Sequence, residues 1–596
     1  MSTKSSSRQS ARVVLGFDIG TAYSGISYSI LDPRVPGHET VKRVNNFDAQ
    51  EDSSSTRTPS LIYYNSQGAW RSAGDAALTR GIERQAAERA WIKVERFKLY
   101  MHDGESSSLR LPDLPPSLSV VDMLSDYLEY LHDTAQTFIK AQHDIDLDDL
   151  KGRIHYVLPL PNGWDNLQQQ QVRRAAALAG LIETERSPEL ILITDGEAVL
   201  HYCAHRPDFV FPEEDGVIIV STGAAITNFS GYCKTSDRRL FREIIAAQSA
   251  LCGSSLITDE AQAFVRYWFR DCRFSDDAEF VAERFDKTTK LQFDDDQMTY
   301  EIPFASPRDN DPDLRVRGGM LEFDGQQIAG FFEQNVNRII SSISEIRNLL
   351  NGLKAIRSIV LVGGFGESIW LFNQIKSEFG DCDIYRPEND GLNAVADGAI
   401  QFYLYHYIKS RITRYTYGVR SSIQFDESNP EHRLRASSKQ EQHDGRMVLP
   451  NAFDIILPKN TEVHEAKEYK RRYHIKSLNR QGLYKRSVQL LCYRGSLQNP
   501  KWTDLEPDLF QPVEVVEADM STVAKSLTPL KGPGNTPYFA LKHDVILSFG
   551  ASGISARTEV KAQIGWSVTK RFRTQPKTLN VPLHESYGSQ SVRFVD

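Results

Sequence analysis

Asp18, Thr21, Tyr23 and Ser24 crowd into the stretch DIGTAYSG, where Gly20 and Gly25 bracket the last three together with Ala22. Small residues let the backbone turn tightly, so N–H groups and hydroxyls can converge on an anion. Asp18 then faces whatever metal travels with that anion, and Mg²⁺, which keeps much of its hydration, would be held there through water. A plain tight β-turn would use the same residues, so this stretch alone does not decide.

Two further glycine-bearing turns share its setting. Ser221 to Ile226 and Gly363 to Gly366 each follow an apolar run that reads as a buried strand. A nucleotide needs about three such turns. Gly20, Thr21, Ala22, Tyr23 and Gly223 would meet the phosphates, while Gly363, Gly364, Phe365 and Glu367 would lie under the base and sugar. Amides at the start of the helix beyond Gly366 add partial positive charge. Lys98, in WIKVERFKLY, reads either as a phosphate-side lysine or as a solvated helix lysine, and Glu197 as a helix-start carboxylate. His132, His155 and His201 lie near apolar runs without a second ligand at metal spacing, and read as structural. There is no G-x-S-x-G elbow, and VGGFGES lacks the first βαβ unit that a dinucleotide fold requires.

The elements that position these residues follow an α/β rhythm. Val13 to Phe17 and Gly25 to Ile30 form a hairpin around the first turn, and residues 215–232 repeat its pattern about 200 residues later, which implies an internal duplication with the two turns facing across a cleft. TPSLIYYN gives a strand, and a helix is expected from Gly74 through Trp91. Amphipathic helices are expected over 120–143 and 327–351, and strand–turn–helix units over 154–182, 189–206 and 356–380. Beyond about 410, short extended pieces separated by Pro, Gly, Asn and Lys indicate a mostly β domain.

At 596 residues the chain exceeds a single core. A formal net charge of −8 without a long basic block gives no nucleic-acid footprint. No run of apolar residues is long enough for a membrane span, and the polar residues 1–11 read as a loose tail. Six scattered cysteines without C-x-x-C fit reduced thiols, and hence a cytoplasmic setting.

Taken together, GFDIGTAYSG, TPS (58–60), GDAA (74–77), PNGWDNLQQQQVRRAAALAG, TDGEAVLHY, VGGFGES and AVADGA resemble, in order, the motifs of the Hsp70 branch of the actin-like ATPase superfamily. The resemblance is nearest to the divergent group typified by heat shock 70 kDa protein 12. It implies an α/β, duplicated, ribonuclease H-like fold with a deep cleft over 12–214 and 215–408. ATP or ADP would bind with Mg²⁺ at Asp18. The second phosphate loop departs from the family pattern of Asp, any residue, three glycines, Thr, any residue, Asp. Here it reads Ser221-Thr222-Gly223-Ala224-Ala225-Ile226-Thr227-Asn228. Both carboxylates are gone, and either alanine, if held at positive φ, would carry about 1–3 kcal/mol of strain. Asp195-Gly196 stands where the family has Glu-Pro, which gives Asp195 the place of the water-orienting acid at shorter reach, beside Lys98 as the second catalytic candidate.

NAFDIILPKN (451–460) and SVQLLCYRG (487–495) are similar to the start of the Hsp70 substrate-binding β-sandwich, which implies a linker over 409–440 and a β domain over 441–596 without a helical lid. Losing several contacts to a transferring phosphoryl group, each worth a few kcal/mol, removes decades of rate. The expected function is an adenine nucleotide-binding protein with weak or absent hydrolysis, a nucleotide-responsive scaffold for a protein partner or peptide at the β domain. The alternatives are an active ATP-dependent chaperone and an interaction protein that binds no nucleotide.

Overall fold

The computed structural model describes residues 12–32, 39–45, 47, 55–101, 111, 114, 118–236, 240–387, 391–465, 467–550, 553–564, 568–573 and 593–594. The tail at 1–11, most of the loop at 102–117 and residues 577–592 lie outside them. The chain divides into two compact units, Met1–Ile408 and Lys409–Asp596.

The first unit is mixed α/β with several sheets. Strand β1 (Arg12–Ile19) is apolar on both faces and buried along nearly its whole length; it turns back antiparallel into β2 (Tyr23–Leu31), pairing Asp18 with Gly25. A short strand, β3 (Arg57–Pro59), pairs with β2 at the turn. The expected helix from Gly74 to Trp91 is two pieces, Gly74–Ala77 and Arg80–Glu88, because Thr79 adopts an extended backbone between them. Helix α1 (Val120–His143) covers the sheet with Leu124, Leu128, Leu131, Ala135 and Ile139, all buried at helical spacing. Its start is fixed by a reciprocal capping box: the Ser119 hydroxyl accepts from the Asp122 N–H, and the Asp122 carboxylate accepts from the Ser119 N–H. Ser119→Ala is expected to lower stability by about 1 kcal/mol, measured as an earlier denaturant midpoint.

Strand β4 (Ile154–Leu160) runs parallel to β1 and leads through Asn162 and Trp164 into α2 (Asn166–Leu178). Strand β5 (Leu190–Thr194) runs parallel to β4 and passes directly into α3 (Asp195–Ala204). A second sheet has the same ingredients. Strands β6 (Gly216–Thr222) and β7 (Ile226–Lys234) form an antiparallel hairpin, and β7 pairs in turn with β8 (Phe241–Leu251). Helix α4 (Ser254–Trp268) follows, and α5 (Gly325–Leu350) packs an apolar stripe into the core beneath. Strand β9 (Ile356–Val362) then runs parallel to β6, and after α6 (Ile369–Glu378) comes β10 (Asp383–Tyr385), parallel to β9. Helix α7 (Ala394–Tyr405) crosses α3 so closely that a Cβ on Gly398 would lie 1.9 Å from the Ala198 carbonyl oxygen.

The second unit is mostly β. Strand β11 (Thr416–Gln424), within the stretch expected to be a linker, is instead a paired strand between β12 (Met447–Leu457) and β14 (Lys485–Tyr493). Val419, Ser421 and Ser422 along it are buried. Strand β13 (Glu468–Ser477) pairs with β16 (Pro537–Gly550), and β14 with β15 (Phe510–Asp519). Among its described residues the longest helix is Ser521–Ser526, too short to form a lid.

Candidate functional site

The first turn is held from both sides. The Ser60 N–H donates to the Ala22 carbonyl at 2.8 Å, and Ser24 and Ser60 share a buried hydroxyl contact at 2.8 Å. Thr21 is buried, and a Cβ on Gly20 would lie 2.1 Å from the Tyr23 carbonyl oxygen. The Tyr23 side chain is 52% exposed. The Asp18 carboxylate is buried and does not stand free: the Arg57 guanidinium donates to its Oδ2 at 3.1 Å. The same Nη2 donates to the Tyr23 carbonyl at 2.8 Å, and Nη1 reaches the Leu392 carbonyl.

Lys98 is not a solvated helix lysine. It lies in a single 3₁₀ turn, Phe97–Met101, is 8% exposed, and donates from Nζ to the Ile19 carbonyl at 2.6 Å. The preceding residue pair is anchored by Arg96, whose two Nη atoms grip the Asp259 carboxylate on α4 at 2.7 and 2.9 Å. Nζ also lies 5.5 Å from the centre of the Trp164 ring.

Asp195 opens α3 and is buried close enough to Lys98 and Asp18 to feel both charges. Burial raises its carboxyl to about 6; Lys98 lowers it, Asp18 raises it, and the Asn228 hydrogen bond lowers it. Asn228 Nδ2 donates to Asp195 Oδ2 at 2.8 Å, while Asn228 Oδ1 accepts from the Asn162 N–H at 2.9 Å. That second bond fixes which end of the amide faces Asp195. An aspartate at 228 would set two carboxylates against each other at this point, so the neutral residue matches its neighbour. Asn162 itself ties β7 to the first turn of α3. Its Nδ2 donates to the Phe229 carbonyl and to Ser230 Oγ at 2.9 and 2.8 Å, and its Oδ1 accepts from the Gly196 N–H at 3.2 Å. Two buried polar atoms here have no hydrogen-bond partner, Asp195 Oδ1 and Trp164 Nε1.

The second turn is stapled to Cys252 and to the first turn of α4. Cys252 N–H donates to the Ala225 carbonyl, Ser254 N–H to Gly223 and Ser255 N–H to Ala224, at 3.1, 3.1 and 2.6 Å. Neither alanine sits at positive φ, so the expected strain is absent. Ala225 and Ile226 instead bury their methyls against Leu99, next to Lys98. Gly223 has an open approach, the nearest atom to a Cβ there being 3.5 Å away.

In the third turn Gly363 has φ +90°, and a Cβ would lie 2.4 Å from the Thr222 carbonyl oxygen, which joins this turn to the second. Gly364 faces open space save for Leu392 at 3.8 Å. Phe365 offers no ring to a base. It is fully buried and packs 6.2 Å from Phe332, because the 3₁₀ turn Gly364–Glu367 points it into the core. Glu367 is half-buried, and burial raises its carboxyl. Glu197 caps α3 in a box with Thr194. The buried His201 accepts the Tyr407 N–H at Nε2 and bonds the Glu197 carbonyl through Nδ1.

The structure thus brings Asp18, Lys98, Asp195 and Gly20–Tyr23 together, sets Gly223 and Gly363 on adjoining turns, and leaves the Phe365 ring apart. Sequence reasoning missed Arg57, which abuts the TPS motif, and Asn162 and Trp164, which lie inside the PNGWDN motif it used. Mg²⁺ does not fit these residues by direct coordination. Asp18 is paired to Arg57, and no group of three His, Cys, Asp or Glu side chains that could hold a metal occurs among the described residues. Among those residues no helix is long and apolar enough to cross a membrane.

No family model matches the chain. It is 25% identical over 197 residues to heat shock 70 kDa protein 12B of Homo sapiens, covering 32% of this chain and 28% of that protein. To heat shock 70 kDa protein 12A it is 25% identical over 233 residues for Homo sapiens, covering 38% of this chain and 32% of the relative. For the Mus musculus 12A protein it is 26% identical over 204 residues, 33% and 29% of the two chains. The matched stretch therefore spans about a third of the curated relatives' length.

Proposed function

We propose that this chain, a divergent Hsp70-like relative, is an adenine nucleotide-binding protein with weak or absent ATP hydrolysis that presents a nucleotide-dependent surface to a protein partner. The two hairpin-bearing sheets of the first unit are read as the halves of a duplicated actin-like fold, with the nucleotide in the cleft between their turns. The observation that carries this reading is the buried Lys98 ammonium. It lies at the Ile19 carbonyl and beside Asp195, with two unpartnered polar atoms next to it. A buried lysine needs anions to meet; Asp195 is one, and a phosphate would be a second. Gly20 to Tyr23 and Gly223 would take the phosphates, and Gly363, Gly364 and Glu367 the nucleoside side.

Weak hydrolysis follows from what surrounds that lysine. Ser221 and Asn228 are neutral, Ile226 carries no hydroxyl, and Asn228 is committed at both ends of its amide. Asp195 can order a water from Oδ1, but its partners leave no second carboxylate to share the work. The second unit, with exposed strands and no lid among its described residues, is read as the partner-binding part.

The test is thermal unfolding and calorimetry with ATP or ADP. At a hundred-fold excess over Kd, nucleotide is expected to stabilise the folded chain by about 2.7 kcal/mol. No heat and no shift in Tm would sink the nucleotide reading. Brisk single-turnover hydrolysis would sink the weak-hydrolysis half and favour an active chaperone.

A further inference from the structure

We infer that Arg57 occupies the place of the divalent cation, so that this site binds a nucleotide polyphosphate without Mg²⁺. The inference rests on the nucleotide reading above and concerns how the phosphate charge is balanced.

Every carboxylate that a cation would use already faces one. Asp18 Oδ2 accepts from Arg57 Nη2 at 3.1 Å in a pair whose side chains are 18% and 12% exposed. Asp195 lies within charge range of the Lys98 ammonium, which is fixed on the Ile19 carbonyl. Ser221 and Asn228, at the remaining two positions, are uncharged. The four ionic groups sum to zero before any ligand arrives. A neutral, largely dehydrated site has little to offer a hydrated dication, which is held by one or two free carboxylates acting with phosphate oxygens. The same site suits a polyanion, because a phosphate that displaces Asp18 gains two cations already in position.

Arg57 is built for that exchange. Its guanidinium carries five donors in a planar fork that matches phosphate geometry. The contacts it makes now are to one carboxylate oxygen and to the Tyr23 and Leu392 carbonyls, and its buried Nε has no hydrogen-bond partner. Thr56, one residue earlier, donates to Asn393 Oδ1 at 3.1 Å, so the segment is anchored at the mouth of the first turn and not swung in from a distance. Leu392 follows Gly391, whose carbonyl accepts the Gly363 N–H, so Arg57 spans from the first turn to the third.

The experiment is calorimetric titration of the full chain with ATP, once in EDTA and once in excess Mg²⁺, for the parent, Arg57→Ala and Arg57→Lys. The parent is expected to bind in EDTA within about three-fold of its Mg²⁺ affinity. Arg57→Ala is expected to lose about ten-fold or more in EDTA and to recover in Mg²⁺, which can then reach Asp18, the size being that of a lost charged hydrogen bond. Arg57→Lys, which keeps the charge without the fork, should fall between. Parent binding that appears only with Mg²⁺ overturns the inference and leaves the nucleotide reading standing. Metal-free binding by Arg57→Ala as tight as the parent's also overturns it. Binding in neither buffer removes the nucleotide reading and this inference with it. The parent comparison stands even if a variant fails to fold.

Discussion

Gly398→Ala is expected to cost about 3 kcal/mol of stability. The added Cβ would lie 1.9 Å from the Ala198 carbonyl oxygen, 2.5 Å from its carbon and 3.2 Å from its Cα, all backbone atoms of a buried helix. A flexible side chain could rotate away; a helix backbone cannot. Helices α3 and α7 would have to separate. Separation would pull on Asp195 at the start of α3. It would also pull on Asp397, whose carboxylate accepts from Ser27 at 2.6 Å and from Arg43 Nε at 3.0 Å. Gly330 is the control, since a Cβ there meets nothing within 4 Å. Gly330→Ala in α5 should be neutral or stabilising by up to about 1 kcal/mol. Equal Tm values for the two variants would overturn the close-packed reading.

The second large effect is pH-dependent. Burial holds Asp195 at about 6 in the folded chain against an ordinary value of 3.8. A carboxyl whose folded value is raised binds its proton more tightly when folded. Its contribution is therefore fully present below about pH 4 and lost as pH rises through about 6. A gap of that size corresponds to about 3 kcal/mol against the folded state at pH 7. Asp195→Asn removes the titration and keeps an oxygen for the Asn228 amide. It is expected to stabilise the chain by about 2–3 kcal/mol at pH 7 and by almost nothing at pH 4. The check is the difference in unfolding free energy between parent and variant across pH 4 to 7.5, in which the other carboxyls cancel. A difference that does not change with pH would rule the reading out. A stabilising loss of a buried acid is what a residue kept for its chemistry should show.

The sequence carried the fold where burial leaves a local trace. A strand buried on both faces, such as Val13–Phe17, reads as an unbroken apolar run, and the small residues after it mark the turn. Helix α1 is legible for the same reason, through a spacing that only a helix satisfies. What stayed hidden is decided by distant partners. Strand β8 carries half-buried polar residues among its apolar ones and has no clean alternation, yet it is fixed along its length by pairing with β7. Strand β11 reads as one of the short extended pieces beyond 410, but which two strands flank it is set by the rest of its sheet. At the candidate site, residue types were legible and their partners were not. Lys98 is one of two lysines in its stretch, and only the Ile19 carbonyl and the Trp164 ring distinguish it. Phe365 was assigned by position in a motif, but a 3₁₀ turn sends its ring inward.

Asn162 has a consequence for how the first unit comes apart. One side chain and its own N–H make four hydrogen bonds, to the side chain of Asn228, the backbone and side chain of β7, and the first turn of α3, while its chain neighbours end β4 in the other sheet. Neither sheet can loosen at its hairpin end without exposing these groups unpaired, at a cost charged to both sheets together. The two sheets are therefore one cooperative element, and heat or denaturant should melt them in a single step despite their separate cores.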